Sequence, residues 1–260
     1  MTTGTPNGTP WPFLVPLLAV MALPMAFPTS SPPDGTRDST VAADDGDDVA
    51  KTPTPDIYNN RWLVALVATQ TLAGALLLLA WMPEYRRHFP IRITPTGILV
   101  GVIGVLLWVG ICELQVEKWI LDQFGLAFLL PSRPGTNPFN EFGNSSWFSA
   151  FLLFRFSILA LIIPCAEELF VRGWLIRWVH DPDEWEAVPL RNVGWYSFWA
   201  LMAYAVLTHP QEAVAAIVWF GLVHAMMKWT GRFWDCVLAH AVTNFLLGVY
   251  VMGTETWRLW

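Results

Sequence analysis

Apolar residues dominate seven stretches of the chain and give way to polar ones between them: 11–28, 62–82, 97–116, 147–165 with a continuation to 179, 195–209, 211–229 and 233–252. Runs of about 17 to 25 apolar residues can cross ~30 Å of hydrocarbon as helices, because a helix satisfies its own backbone hydrogen bonds. The pattern predicts an all-α fold, a polytopic integral membrane helix bundle of about seven to eight transmembrane helices. The first run is the weakest. No Lys or Arg precedes it and no A-x-A cleavage site follows, so 11–28 reads as a retained span rather than a removed signal sequence.

Between the runs, the chain divides. Residues 29–60 are rich in Pro, Thr and Asp, cannot bury enough apolar surface to order themselves, and read as a solvated, disordered loop. Residues 117–146, with Pro131, Pro134, Gly135 and Pro138, read as a second, external loop. The expected organisation is 1–60, a weak N-terminal span plus acidic loop; 61–146, accessory helices and external loop; 147–252, one packed helical core; and 253–260, a tail. Basic residues favour the cytoplasmic ends of short loops. Arg86, Arg87 and Arg92, then Arg177 and Arg191, then Lys228 and Arg232 fall on one side without contradiction, which puts the N-terminus inside and the C-terminus outside.

Composition sharpens this picture. The 260 residues are 54% hydrophobic and 14% charged, where a soluble domain carries roughly a quarter charged, which excludes a water-soluble monomer. A net charge of -6 with no dense basic run excludes nucleic acid as a partner and leaves membrane lipid as the surroundings. Sixteen Trp and sixteen Phe suit interfacial belts as well as an interior. Three cysteines, Cys112, Cys165 and Cys236, are an odd number set in apolar segments, which does not read as a disulfide framework.

Ionisable groups inside membrane helices cost about 2.5 to 3.5 kcal/mol each, so those present need a reason. Glu167, Glu168 and Arg172 lie at the end of a long apolar helix. Glu168 and Arg172 are four apart and can neutralise each other, while Glu167 points about 100° away and is left for another role. A buried carboxylate that holds and returns a proton suits a general base. His209 ends a second apolar run, and His240 and Asn244, again four apart, share a face of a third. Two histidines, a carboxylate and an amide from separate helices can activate water and stabilise an oxyanion in a bundle core. A His224 in an apolar helix reads as a satisfied core residue.

Glu-Glu-x-x-x-Arg, a His closing an aromatic and apolar run, and His-x-x-x-Asn after Thr-Gly-Arg together resemble the CAAX-processing and bacteriocin-protection intramembrane proteases, the type II CAAX prenyl endopeptidase group. The resemblance covers roughly 147–252, which would make that stretch the protease core. The closing His-Ala-Val-Thr-Asn-Phe-Leu-Leu-Gly-Val-Tyr-Val is similar to a bacterial branch found alongside exosortase sorting systems. The resemblance implies an intramembrane endopeptidase of the bacterial inner membrane, cutting a peptide or protein substrate that is prenylated or bears a sorting signal. It implies Glu167 as the water-activating base assisted by His209, Glu168 and Arg172 as a supporting pair, His240 as the second histidine and Asn244 as the oxyanion donor. Zinc or another divalent metal on Glu167, His209 and His240, and a metal-free water, both remain open, since two His and one Glu form a ligand set that zinc accepts.

Two other classes compete: a non-catalytic membrane protein with a structural polar cluster, and a proton-coupled transporter, the latter weakened by the lack of paired, similar halves. One tension concerns depth. If 195–209 ran straight across, His209 would sit at the external face, away from Glu167 and His240. Either 181–194 enters the membrane partway, or Pro210 kinks a helix and brings His209 to mid-depth.

Overall fold

A computed structural model describes residues 9–26, 57–126, 128, 130, 135, 137–143 and 145–259. Among these there is no strand. The helices are α1 (Trp11–Ala26), α2 (Ile57–Ala80), α3 (Met82–His88), α4 (Pro95–Glu113), α5 (Val116–Gln123), α6 (Pro138–Phe142), α7 (Ser146–His180), α8 (Trp195–Thr208), α9 (Ala213–Thr230) and α10 (Phe233–Thr254). The loop expected at 29–60 lies outside the described residues except at its end, where α2 begins at Ile57.

Each of the seven apolar runs coincides with a helix. Among the described residues, five helices are long and apolar enough to span a membrane: Arg61–Ala80, Pro95–Gln123, Ser146–His180, Ala213–Thr230 and Phe233–Thr254. The other two are shorter, 16 residues in α1 and 14 in α8. At ~1.5 Å per residue they reach only about 24 and 21 Å, less than the ~30 Å of hydrocarbon. The stretch 117–146 is less loop-like than its prolines suggest. Asn137 accepts a hydrogen bond from Phe139 N at 2.9 Å, and Pro138 sits at the first helical position, so the two start α6.

Helix α7 contains Pro164, which has no N–H to give and would crowd the preceding turn. The chain answers by widening. Ile158–Ile162 is a π turn, followed by an α segment, Ile163–Glu168, and a second π turn, Leu169–Leu175. Ile163 N reaches back to Ile158 O, five residues earlier.

Helices α4 and α10 pack closely, and small residues allow it. A Cβ at Gly97 would lie 2.9 Å from Asp235 O, and one at Gly101 would lie 2.7 Å from Ala239 O. Glycines four apart let two helix backbones meet in a membrane, where close packing replaces the hydrophobic effect as the driving force. This contact sets the position of His240 relative to α4 and α7. Helix α1 is held by Phe13, which is buried and meets Tyr85, Phe89 and Trp185 edge-on, with ring centroids 5.8, 6.4 and 5.3 Å apart.

Candidate active site

Glu167 and Glu168 lie in the segment between the two π turns of α7, and helix geometry sends them to different partners. Glu168 is fully buried. Its Oε2 accepts from Arg172 Nη1, and its Oε1 lies 3.1 Å from Nδ1 of His240 on α10. Arg172, also fully buried, donates from Nη2 to Phe220 O of α9 at 3.3 Å and lies over the Phe220 ring. The pair expected from the sequence is made, and it has a third member. One carboxylate and one guanidinium tie α7, α9 and α10 together while orienting His240.

That orientation has a chemical result. A carboxylate beside Nδ1 favours the Nδ1–H tautomer of a neutral imidazole, which leaves a lone pair on Nε2. His240 Nε2 faces Glu167 Oε2 at 3.7 Å, too long for a direct hydrogen bond and a spacing at which one water can touch both atoms. The other Glu167 oxygen accepts from the Tyr204 hydroxyl of α8 at 2.9 Å. Trp219 packs edge-on against the His240 ring at 4.7 Å and donates to Thr243 Oγ1, limiting ring rotation.

A cavity of about 290 Å³ joins these groups; Glu167, Tyr204, His209, His240 and Asn244 all line it. His209 terminates α8, with its Nδ1 2.9 Å from Thr208 Oγ1 and its ring beside Trp108 and Phe220. The expected separation of His209 from Glu167 is not seen. Helix α8 starts only after the partly buried 181–194 segment, and it ends at Thr208, so His209 reaches the same cavity as Glu167. Pro210 lies in the turn that follows rather than kinking a continuous helix.

Asn244 lines the cavity, but one of its amide N–H groups already donates to Leu159 O at 3.0 Å. Arg155 lines the cavity as well. Among the described residues, no group of three or more His, Cys, Asp or Glu side chains is close enough to hold a metal ion. Glu167, His209 and His240 share one cavity without closing around a common point, so as arranged they do not fit the ~2.0–2.2 Å ligand shell of zinc.

The sequence did not single out two participants. Tyr204 was visible only as part of an apolar run, although a hydroxyl one turn before Thr208-His209 is a usable signal. Glu212 is buried and lines both this cavity and a neighbouring one formed with Gln115, Glu117, Lys118 and Arg258. It was overlooked because a Glu beside a turn ordinarily costs nothing. His224 departs from the satisfied-core expectation: its Nδ1 is buried without a hydrogen-bond partner among the described residues, beside the Phe198 ring at 5.5 Å.

Residues 148–246 match the family model described as type II CAAX prenyl endopeptidase Rce1-like. That stretch resembles an Rce1-like domain. The match covers well under half of the chain, yet it contains Glu167, Glu168, Arg172, His209, His240 and Asn244 together. The spanning helices support an integral membrane protein, and the matched stretch is similar to CAAX-type proteases. No curated protein and no solved structure is similar to it at a significant level.

Proposed function

We propose that the Rce1-like domain hydrolyses a peptide bond of a membrane-associated protein through a water held between Glu167 and His240. The observation that carries this reading is the pair of facing acceptors, Glu167 Oε2 and His240 Nε2, 3.7 Å apart on the wall of a cavity. An ionised carboxylate and a lone-pair nitrogen repel unless a proton lies between them, and a water supplies one to each.

The chemistry follows from that placement. Glu167 takes a proton as the water oxygen attacks the substrate carbonyl carbon, and the carbonyl oxygen gains the negative charge. His240 Nε2 holds the water's second proton and so aims its lone pair, while Tyr204 fixes Glu167 through Oε1. Asn244 has a second amide N–H beyond the one given to Leu159, and with His209 it faces the same cavity as donor to the oxyanion. Glu167 then returns its proton to the leaving nitrogen as the C–N bond breaks, giving a carboxylic acid and an amine. A positioned general base is typically worth ~10² to 10⁴ in rate, and an oxyanion donor ~10² to 10³. The substrate is a prenylated or sorting-signal-bearing protein, and the membrane is a bacterial inner membrane with the arginine-bearing loops facing the cytoplasm.

The full chain in proteoliposomes should be given internally quenched peptides with a farnesylated Cys three residues from the C-terminus, alongside the unprenylated versions. Glu167→Gln and His240→Ala should each reduce cleavage at least about a hundredfold. Cleavage by Glu167→Gln at the wild-type rate would remove the glutamate from the mechanism.

A further inference from the structure

At the end of the bundle where α7 and α9 finish and α4 and α10 start, the connecting segments enclose a cavity of about 580 Å³, twice the size of the one at Glu167. Its lining holds Arg92, Arg177, Arg191, Arg232 and His88 against a single carboxylate, Glu186. None of these groups takes part in the proposed hydrolysis.

Arg177 and Arg191 are held in place by neutral acceptors. Arg177 is only 4% exposed, and its guanidinium donates to Val188 O at 2.9 Å, Gly173 O at 3.0 Å and Glu186 O. Phe89 and Trp185 stack beside it, 5.3 and 5.5 Å away. Carbonyls satisfy N–H groups but do not neutralise a cation, and the carboxylate that acts on this buried charge is that of Glu186, in the same cavity. Arg191 donates to Thr230 O at 2.6 Å and lies over Gly231, whose φ of +67° turns the chain between α9 and α10. Any Cβ there would meet Arg191 Nε at 2.5 Å. Arg232 lies 3.8 Å from Asp235 and has that carboxylate as its ion-pair partner; Asp235 also accepts from Thr94, from its N and its Oγ1, each at 2.7 Å. The N-terminus of α10 adds partial positive charge on the same side.

A second, independent feature gives the depth. Trp178 in the last turn of α7, Trp195 at the start of α8 and Trp229 at the end of α9 are 42%, 62% and 73% exposed at this end of the bundle. Exposed tryptophans gather at the headgroup level of a bilayer, and arginine forks match phosphate oxygens in pairs. We infer that this cavity binds a phosphate group at the membrane surface, supplied by an anionic phospholipid headgroup or by a soluble phosphate. Basic pockets between helices on the cytoplasmic side suit such headgroups, and the leaflet there is the anionic one.

Binding to the full chain in detergent would be measured with dioctanoyl phosphatidylglycerol, dioctanoyl phosphatidylcholine and inorganic phosphate, in low and high salt. Phosphatidylglycerol should bind more tightly than phosphatidylcholine, weaken with salt, and lose at least about tenfold in affinity in the Arg191→Gln, Arg232→Gln double variant. Arg92→Gln, at an exposed position, gives a separate check should the double variant fold poorly. Competition by millimolar inorganic phosphate assigns the site to a soluble anion, and phosphatidylglycerol binding that resists it assigns the site to lipid; both support phosphate recognition. Unchanged affinity of the bound probe in the variants, affinity that does not respond to salt, or no binding of any probe overturns it. None of these readouts depends on proteolysis.

Discussion

The Asn244 amide donates to the carbonyl oxygen of Leu159 at 3.0 Å, and Pro164 explains why that oxygen is open. In the π turn the donor for each carbonyl lies five residues on, as Ile163 N does for Ile158 O. The next donor in line would belong to Pro164, which has none. Asn244 therefore supplies, from α10, the hydrogen bond that the proline removes from α7. Asn244→Ala should destabilise the protein by about 1 kcal/mol, since a partly buried carbonyl loses its partner. Pro164→Ala restores a backbone N–H, so the two substitutions should couple: Asn244→Ala should cost clearly less in the Pro164→Ala background. Thermal or denaturant unfolding in detergent measures this, and strictly additive effects would show that the proline and the amide act independently.

Glu168 serves both Arg172 and His240, and the two services can be separated. Glu168→Gln leaves a buried guanidinium unpaired and should destabilise by about 3 to 5 kcal/mol. Adding Arg172→Leu removes the stranded charge and should recover much of that loss. Activity should not recover with it, because His240 still lacks the carboxylate that fixes its ring; losses of about 10- to 100-fold in kcat with little change in KM are expected for such an orienting group. A double variant that is both stable and fully active would show that the carboxylate serves only Arg172.

How much of this could be read from the sequence depends on which physical constraint acts. The five spanning helices were legible because crossing hydrocarbon imposes a length and an apolarity that show in one dimension, and Glu168 and Arg172 were legible because four residues make one helical turn. The bounds of α8 were legible too, since 195–209 was read as an apolar run, but its depth was not, because a run does not reveal where its helix starts relative to the others. The π turns beside Pro164 were hidden too: the proline announces a disturbance without saying whether the helix kinks, ends or widens. Tyr204 was hidden because a hydroxyl in an aromatic run costs little until its partner, Glu167, is known. Gly97 and Gly101, four apart, were a readable mark of close helix approach, but the helix they meet is 130 or more residues away in the chain.

Tyr204 holds Glu167 by a single hydrogen bond of 2.9 Å from a neutral hydroxyl. Removing that hydroxyl keeps the ring, and with it the contact to Phe220 at 5.9 Å. Tyr204→Phe should fold normally and lose about 5- to 30-fold in kcat, the kinetic equivalent of a net hydrogen bond of about 1 to 2 kcal/mol to a charged group. A loss as large as that of Glu167→Gln would instead give the phenol a direct part in proton transfer.

Gly101 tests whether the contact between α4 and α10 positions His240. A methyl group there would lie 2.7 Å from Ala239 O and 2.7 Å from Val242 Cβ, so α10 has to retreat. Carbon atoms rest about 3.5 to 4.0 Å apart, which makes that retreat roughly an ångström, and a shift of this size at a catalytic group can cost ~10² in rate. Ala239 precedes His240, so the displacement is passed directly to the ring that Glu168 orients. Gly101→Ala should therefore lower kcat about 10- to 100-fold while the protein still inserts and folds. Gly110, on the same helix with nothing within 4 Å of its would-be Cβ, provides the control. Gly110→Ala should leave activity unchanged and raise stability by up to about 1 kcal/mol, because alanine loses less backbone freedom on folding. Equal effects at the two positions would mean that α4 tolerates a displaced α10, and that His240 owes its place to α7 alone.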